Sequence, residues 1–388
     1  MKRVAIVGCG VGSLTSEAVA AIESADALFG SARMIEPYSK PKYAEYNAAR
    51  IAELIRESAF ERFAVLVSGD PGFYSAAKPL LESLDGIAEV TVVPGISSVS
   101  AFFAKLQLAW QDAALVSCHS RDPNIVDAVR RNRATFAVTG GNTKELAVKL
   151  CEYGFAALTV HIGENLGGTR ERVFSTTVEK LATIEPDSLT VLLIENPGAY
   201  AGVRTGIPDD EFTRGDVPAT KSEVRAVALS RLGIAPDSIC CDVGAGTGCV
   251  TVEMALAAFN GTVYAVERNA PAIQLIRANC RKFQVGNVEL VHGDAATVLA
   301  GLPPFDAVFI GGSGGRMDAI FDAVLAKNSR TRIVCNAVTL RGATAALAAF
   351  ERHRLHSELV QLNVARLSSR AGMLLANNPI FIVSGGAA

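Results

Sequence analysis

Aromatic residues are scarce, 6% of 388 residues with a single tryptophan, and charge of neither sign dominates, since 37 Lys and Arg face 39 Asp and Glu. That near-cancellation excludes the basic field of a nucleic-acid binder and gives no sign of a membrane-surface protein. No apolar segment is long enough to cross a bilayer. The run Val4-Ala5-Ile6-Val7 behind Lys2 and Arg3 breaks at Gly8, too short for a signal peptide and without its cleavage region, and reads as a first strand. Cysteines at 9, 118, 151, 240, 241, 249, 280 and 335 include no C-x-x-C pair and no cysteine–histidine set at zinc spacing. No metal site is expected, and the thiols read as buried and free in a reducing cytoplasm.

What the chain does have is aliphatic: 49% hydrophobic residues over a length that implies two or three domains of α/β type. Its organising stretch is Cys240-Cys241-Asp242-Val243-Gly244-Ala245-Gly246-Thr247-Gly248. An apolar strand ends in an acid, and three alternating glycines lead into a helix N-terminus, the shape of a nucleotide-binding turn. Glycine lets the chain turn sharply and bring its backbone close to a ligand. The spacing is G-x-G-x-G followed by Cys249, not the G-x-G-x-x-G of a dinucleotide site. The next strand, Thr262 to Val266, ends in Glu267, placed to take a ribose hydroxyl pair, and Gly293-Asp294-Ala295 follow a third strand. Together these favour S-adenosylmethionine over NAD.

The first half carries a second G-x-G-x-G turn, Gly8 to Gly12, entering a helix near Thr15. Strand Phe63–Val67 ends in Ser68-Gly69-Asp70-Pro71-Gly72, and Val90–Val93 in Pro94-Gly95-Ile96-Ser97-Ser98, where Ser97 or Ser98 can cap the helix running to Leu106. A parallel sheet places these loops at one edge, where open α/β sheets bind ligands. Later strands lead into Ser117-Cys118-His119-Ser120-Arg121, Thr139-Gly140-Gly141-Asn142 and Gly163-Glu164-Asn165-Leu166-Gly167.

These five segments, Gly8–Gly12, Ser68–Pro71, Pro94–Ser98, Ser117–His119 and Gly163–Gly167, resemble the tetrapyrrole (corrin/porphyrin) methylases over roughly residues 1–195. The resemblance implies a two-lobed α/β fold with S-adenosylmethionine in the cleft between lobes, and makes Gly69, Asp70, Ser97 and Ser98 cofactor contacts. Val11 stands where that family usually has proline, and the first loop is a few residues short.

Between Asn196 and Pro218 proline, glycine and acids collect without helix or strand period, so domains 1–196 and 219–388 are expected on either side of a linker at 197–218. The second half then alternates strand and helix. A helix from Lys221 to Leu232, capped by Thr220, precedes strands at 239–243, 262–266, 288–292, 306–310 and 332–336, with two more at about 357–364 and 379–384. This predicts a doubly wound, Rossmann-like parallel sheet of seven strands.

Within that half Thr220–Arg225, Asp242–Gly248, Phe309–Gly315 and Ile333–Val338 resemble the decarboxylating precorrin-6B C15-methyltransferases. The Gly311–Gly315 loop replaces the Asn/Asp-Pro-Pro-Tyr by which nitrogen-directed methyltransferases clamp a planar amine. Arg341 stands where an acid is usual. Paired with the first half, the resemblance implies a bifunctional enzyme of cobalamin biosynthesis that methylates C5 and C15 of precorrin-6B, removes the ring C acetate and yields precorrin-8. Other readings keep the first half as a scaffold, or make the chain a non-catalytic tetrapyrrole carrier.

Roles follow for the second site. Gly244, Gly246 and Gly248 meet the amino-acid part of the cofactor, and Asp242, Ala245 and Thr247 are cofactor contacts beside them; Glu267 takes the ribose; Asp294, Gly293 or Ala295 takes the adenine; and Thr220 contacts it from the entry segment or only caps the helix. A substrate rich in carboxylates needs cations, so Lys221 and Arg225, one helical turn apart, are substrate candidates beside Asn336 and His119. Few obligatory catalytic side chains are expected, and no general acid is named. Both resemblances suggest a homo-oligomer.

Overall fold

The computed structural model describes residues 1–119, 123–200, 205–367 and 372–386. Ser120 and Arg121 of the fourth loop and Ala201 and Gly202 of the boundary stretch lie outside them. The chain clusters into two compact units, one of Met1–Asp122, Asn132–Val148 and Ala157–Pro197, the other of Pro123–Arg131, Lys149–Ala156 and Gly198–Ala388.

The first unit holds two five-stranded sheets. Strands β1 (Lys2–Cys9), β2 (Ala27–Gly30), β3 (Lys42–Ala44), β4 (Arg62–Ser68) and β5 (Ala88–Val93) form a parallel sheet in the order β3-β2-β4-β1-β5. Its inner strands β1, β2 and β4 are apolar on both faces because helices cover both: Val4, Ile6, Phe63 and Val65 face one core, Val7, Ala64 and Leu66 the other. The second sheet, β6 (Ala114–Ser117), β7 (Ala134–Val138), β8 (Thr159–Glu164), β9 (Arg172–Thr177) and β10 (Thr190–Glu195), has the order β6-β7-β10-β8-β9. Only its β6–β7 pairing is parallel.

In the second unit β11 (Ile239–Val243), β12 (Thr262–Glu267), β13 (Val288–His292), β14 (Ala307–Ile310), β15 (Arg332–Ala337), β16 (His356–Leu362) and, after a small hairpin of β17 (Ala365–Leu367) and β18 (Leu374–Ala376), β19 (Ile380–Gly386) are laid down in turn. The seven-stranded order is β13-β12-β11-β14-β15-β19-β16. The expected sheet is therefore present, with one correction: β19 runs antiparallel to both its neighbours. A long chain reversal from β16 through the hairpin inserts β19 backwards between β15 and β16, and no local sequence pattern encodes that direction. Alternate strand residues, Cys240, Val263, Ala265 and Phe309 against Cys241, Val243, Val308 and Ile310, feed two cores on opposite faces.

The stretch 205–218 differs from a solvated linker. Ile207 and Phe212 are buried in the second unit's core, and the Glu253 carboxylate accepts hydrogen bonds from Gly206 N (2.8 Å) and Ile207 N (3.0 Å). Its composition signals irregular backbone, and irregular backbone packs inside when buried side chains satisfy its N–H groups. Among the described residues no helix is long and apolar enough to cross a membrane, and no group of three or more His, Cys, Asp or Glu is placed to hold a metal. All eight cysteines are free, and burial pushes the Cys240 and Cys280 thiols up to about 12.

Candidate active site

The glycine turn after β11 owes its shape to backbone conformation. Gly244, Gly246 and Gly248 have φ of 73°, 58° and 79°, a region that costs residues with a Cβ about 1–2 kcal/mol. Space is closed as well. A Cβ on Gly244 would come within 2.9 Å of Gly312 O, one on Gly246 within 3.1 Å of Pro218 O, and one on Gly248 within 3.1 Å of Ile276. Gly248 is also the N-cap of helix Cys249–Ala257, so the turn delivers a helix N-terminus to the sheet edge.

Two carboxylates flank that turn. Glu267, at the end of β12, accepts from Gly246 N through Oε2 and from Arg268 N and Asn269 N through Oε1, all at 2.8 Å. It therefore clasps the loop while lining the cavity above it. Asp242, at 1% exposure, accepts the Thr251 hydroxyl at 2.5 Å, while its Oδ1 is buried without a partner. Burial, reinforced by repulsion from Glu267, raises the Asp242 pKa to about 7. An unmet carboxylate oxygen beside a cavity fits a ligand that brings a donor or a positive charge.

That cavity, about 690 Å³, is lined by Thr220, Lys221, Asp242, Gly244–Thr247, Glu267, Gly293, Asp294, Ala295 and Asn336 from the sequence-derived set. Gly248 is not among the lining residues; its part is packing against Ile276. Asp294 caps helix Ala295–Val298 through Ala296 N (3.1 Å) and pairs with Arg316 from the end of the Gly311–Gly315 loop. The loop is thereby tied to the side of the cavity where the third strand ends. Asn336 is half-buried on β15, its Oδ1 without a partner.

The entry segment brings two corrections. Helix Ser222–Leu232 has Lys221, not Thr220, as its N-cap residue, and no side chain caps it. Thr220 instead offers its carbonyl to Arg225 and, at 3.6 Å, to Cys249 Sγ. Arg225 does not reach substrate: it is fully buried, with Nε 2.8 Å from Glu253, Nη1 3.0 Å from Asp209, and Ile207 O as a further acceptor. Being one turn from Lys221 placed it on the same helix, but the inward face of that helix needed a counter-ion for Glu253. Lys221 remains exposed at the cavity.

Sequence reasoning missed Asn377 and Asn378, which line the cavity immediately before β19, together with Leu362 at the end of β16 and Val364 beyond it. Their one available signal was the Asn-Asn-Pro sequence leading into the last strand.

In the first unit the glycine loops converge backbone to backbone. Val11 N donates to Ile96 O (2.9 Å) and Gly69 N to Cys9 O (3.3 Å). A Cβ on Gly8 would lie 2.7 Å from Gly95 N, and one on Gly95 2.6 Å from Gly8 O. The fifth loop joins them, since a Cβ on Gly167 would overlap Gly12. Asp70 fastens two loops, accepting from Gly72 N (2.8 Å) and Gly95 N (3.3 Å). Ser97 caps helix Ser98–Leu106 by accepting from Ser100 N (3.2 Å), and Ser98 opens that helix. Exposed His119, at the end of β6, neighbours Gly140 in the second sheet's loop cluster.

Two families match, in the order the two glycine loops occur. Residues 3–182 match the Tetrapyrrole (Corrin/Porphyrin) Methylases and residues 210–383 the precorrin methyltransferase domain. A precorrin-6Y C(5,15)-methyltransferase [decarboxylating] from Sinorhizobium sp is 34% identical over 80% of this chain and 76% of its own length. A probable cobalt-precorrin-6B C(15)-methyltransferase (decarboxylating) from Pyrobaculum calidifontis is 42% identical over 46% of this chain and 94% of its own. The crystal structure of a precorrin-6y C5,15-methyltransferase from Geobacter metallireducens GS-15 is 40% identical, covers 47% of this chain and 97% of that one, and superposes with a TM-score of 0.46. With both halves matched in sequence, the chain belongs to the family of decarboxylating precorrin-6Y C5,15-methyltransferases.

Proposed function

We propose that the chain methylates precorrin-6B at C5 and C15 and removes the ring C acetate as carbon dioxide, giving precorrin-8 in cobalamin biosynthesis. The observation that carries this reading is one chain with two glycine-loop sites, each inside its own family match. C5 methylation falls to the first unit, through Gly69, Asp70, Ser97 and Ser98. C15 methylation and decarboxylation fall to the second.

S-adenosylmethionine supplies an electrophilic methyl group when bound. Asp242, with its unmet Oδ1, suits the positive end of that molecule, Glu267 the ribose hydroxyls and the Gly293–Ala295 turn the adenine. The protein's remaining work is to hold a nucleophilic tetrapyrrole carbon in line and keep water out. Methylation would form a carbon–carbon bond with that carbon's electron pair as the sulfur–methyl bond breaks and the sulfur leaves as a neutral thioether, and the carbon's proton is lost to solvent. In decarboxylation the bond between the acetate methylene and its carboxylate breaks, the electron pair enters the conjugated macrocycle, carbon dioxide leaves, and a proton is returned to the methylene carbon. Neither step needs a nucleophilic side chain, in keeping with thiols that burial holds protonated. The reaction runs in the cytoplasm, where free cysteines stay reduced. Exposed Leu367, Met373, Leu374 and Leu375 offer apolar surface for self-association.

Incubating the full chain with precorrin-6B and isotope-labelled S-adenosylmethionine tests the reading by mass spectrometry. Two methyl groups gained per carbon dioxide released is the expected result. A single methyl group would leave one unit as a scaffold, and bound pigment without any transfer would make the chain a carrier.

A further inference from the structure

Asp242 lines the cavity at the end of β11, among groups that give its charge no counter-ion. Its partners across the sheet are Ala265 on β12 and Phe309 on β14, both apolar. Cys241 precedes it and Cys249 opens the helix beyond the turn, two thiols that burial holds protonated. Glu267 acts on it with charge of the same sign. Cations stand nearby but are engaged elsewhere or out in solvent. Arg225 pairs with Glu253 and Asp209, Arg316 with Asp294, and Lys221 and Arg268 are exposed at the cavity. Thr251 donates to one carboxylate oxygen, and Oδ1 has no partner. Among the described residues no cation pairs with Asp242, and a carboxyl group 1% exposed in such surroundings is held as the neutral acid.

Resting on the cofactor site proposed above, we infer that the second unit exchanges a proton for its cofactor: the ammonium group of S-adenosylmethionine settles on Asp242 Oδ1 as the Asp242 O–H bond breaks and the proton passes to solvent. The ammonium fits this oxygen better than the sulfonium does. An unmet acceptor calls for an N–H donor, which the ammonium supplies together with the missing positive charge, whereas the sulfonium has charge alone. A cation placed there restores the ionised carboxylate. The Asp242 pKa of about 7 in the free protein sets the window. Below it uptake must release a proton, so affinity falls with acidity; above it no proton remains to be released. Asp70 in the first unit is built differently, since its two oxygens accept from Gly72 N and Gly95 N. The exchange therefore belongs to the second unit.

The test is calorimetric titration of the full chain in buffers of different ionisation enthalpy, which counts protons, from about pH 5.5 to about pH 7, where a ligand ammonium stays charged. Near pH 6 the unsubstituted chain should release close to one proton as it saturates with S-adenosylmethionine, and its second-unit affinity should rise roughly tenfold across the range. Asp242→Asn should bind without releasing that proton, its affinity changing less than about twofold over the same range. A merely structural role would weaken binding at every pH and leave the slope in place. Two analogues test the same point without any substitution. S-adenosylhomocysteine, which keeps the ammonium, should release the proton, and methylthioadenosine, which lacks the amino-acid part, should release none. An unchanged proton count in Asp242→Asn, or a proton released by methylthioadenosine, overturns the inference and leaves the cofactor site standing. One cofactor per chain, bound identically by the unsubstituted protein and by Asp242→Asn, overturns both.

Discussion

The two glycine loops, Gly8–Gly12 and Gly244–Gly248, share one spacing and use it for different physical ends. In the second unit all three glycines occupy left-handed backbone, and Gly244 and Gly246 open onto a cavity. In the first, Gly12 has φ of 89° while Gly8 and Gly10 are required because the 69–72 and 95–96 backbones pass against them. The carboxylates nearby divide in the same way. Asp70 spends both oxygens on loop N–H groups, whereas Asp242 keeps one oxygen unmet. A glycine motif thus announces a tight turn. Whether its glycines serve conformation, loop-to-loop packing or a ligand depends on what else arrives there.

The largest effect that would break this contrast lies beneath the second loop. Arg225→Ala leaves Glu253 in the core without its cation, while Asp209 keeps Arg366 at 3.2 Å, and urea unfolding should show the second unit losing about 3–5 kcal/mol, the usual cost of an orphaned buried charge. Lys221→Ala should leave stability unchanged and weaken only tetrapyrrole binding.

A smaller effect follows from Asp242. Its folded pKa of about 7 lies above the usual 3.8, so the native state keeps a proton that the unfolded chain gives up. The resulting stability is complete below about pH 4 and drains away as pH rises to 7, on the order of a few kcal/mol. Unfolding curves across that range should show the decline in the unaltered protein and its loss in Asp242→Asn. Smaller again is the difference between two glycines of the first loop. Gly10→Ala forces Cβ onto Ile96 and should cost about 1–3 kcal/mol by overpacking. Gly12→Ala meets nothing within 4 Å and should cost only the backbone strain, about 1 kcal/mol.

Much of the site was legible because it is locally encoded. A strand, its terminal acid, a glycine turn and the following helix lie within about fifteen residues, so Asp242, the glycines and Glu267 could be placed from pattern alone. Arg225 could not be placed, since whether a helical arginine faces water or core depends on Glu253, 28 residues further on. Likewise Asn377 and Asn378 carried no periodicity of their own.

By itself, then, the sequence determined the alternation of elements, the loops at strand ends and the family, because each is written in short-range spacing or composition. Tertiary structure alone decided that β19 runs backwards, that Ile207 and Phe212 of the 205–218 stretch enter a core and that three asparagines line one cavity. The reason is that strand direction and counter-ion pairing are settled by contacts between residues far apart in the chain, where burial and hydrogen-bond satisfaction outweigh any local preference.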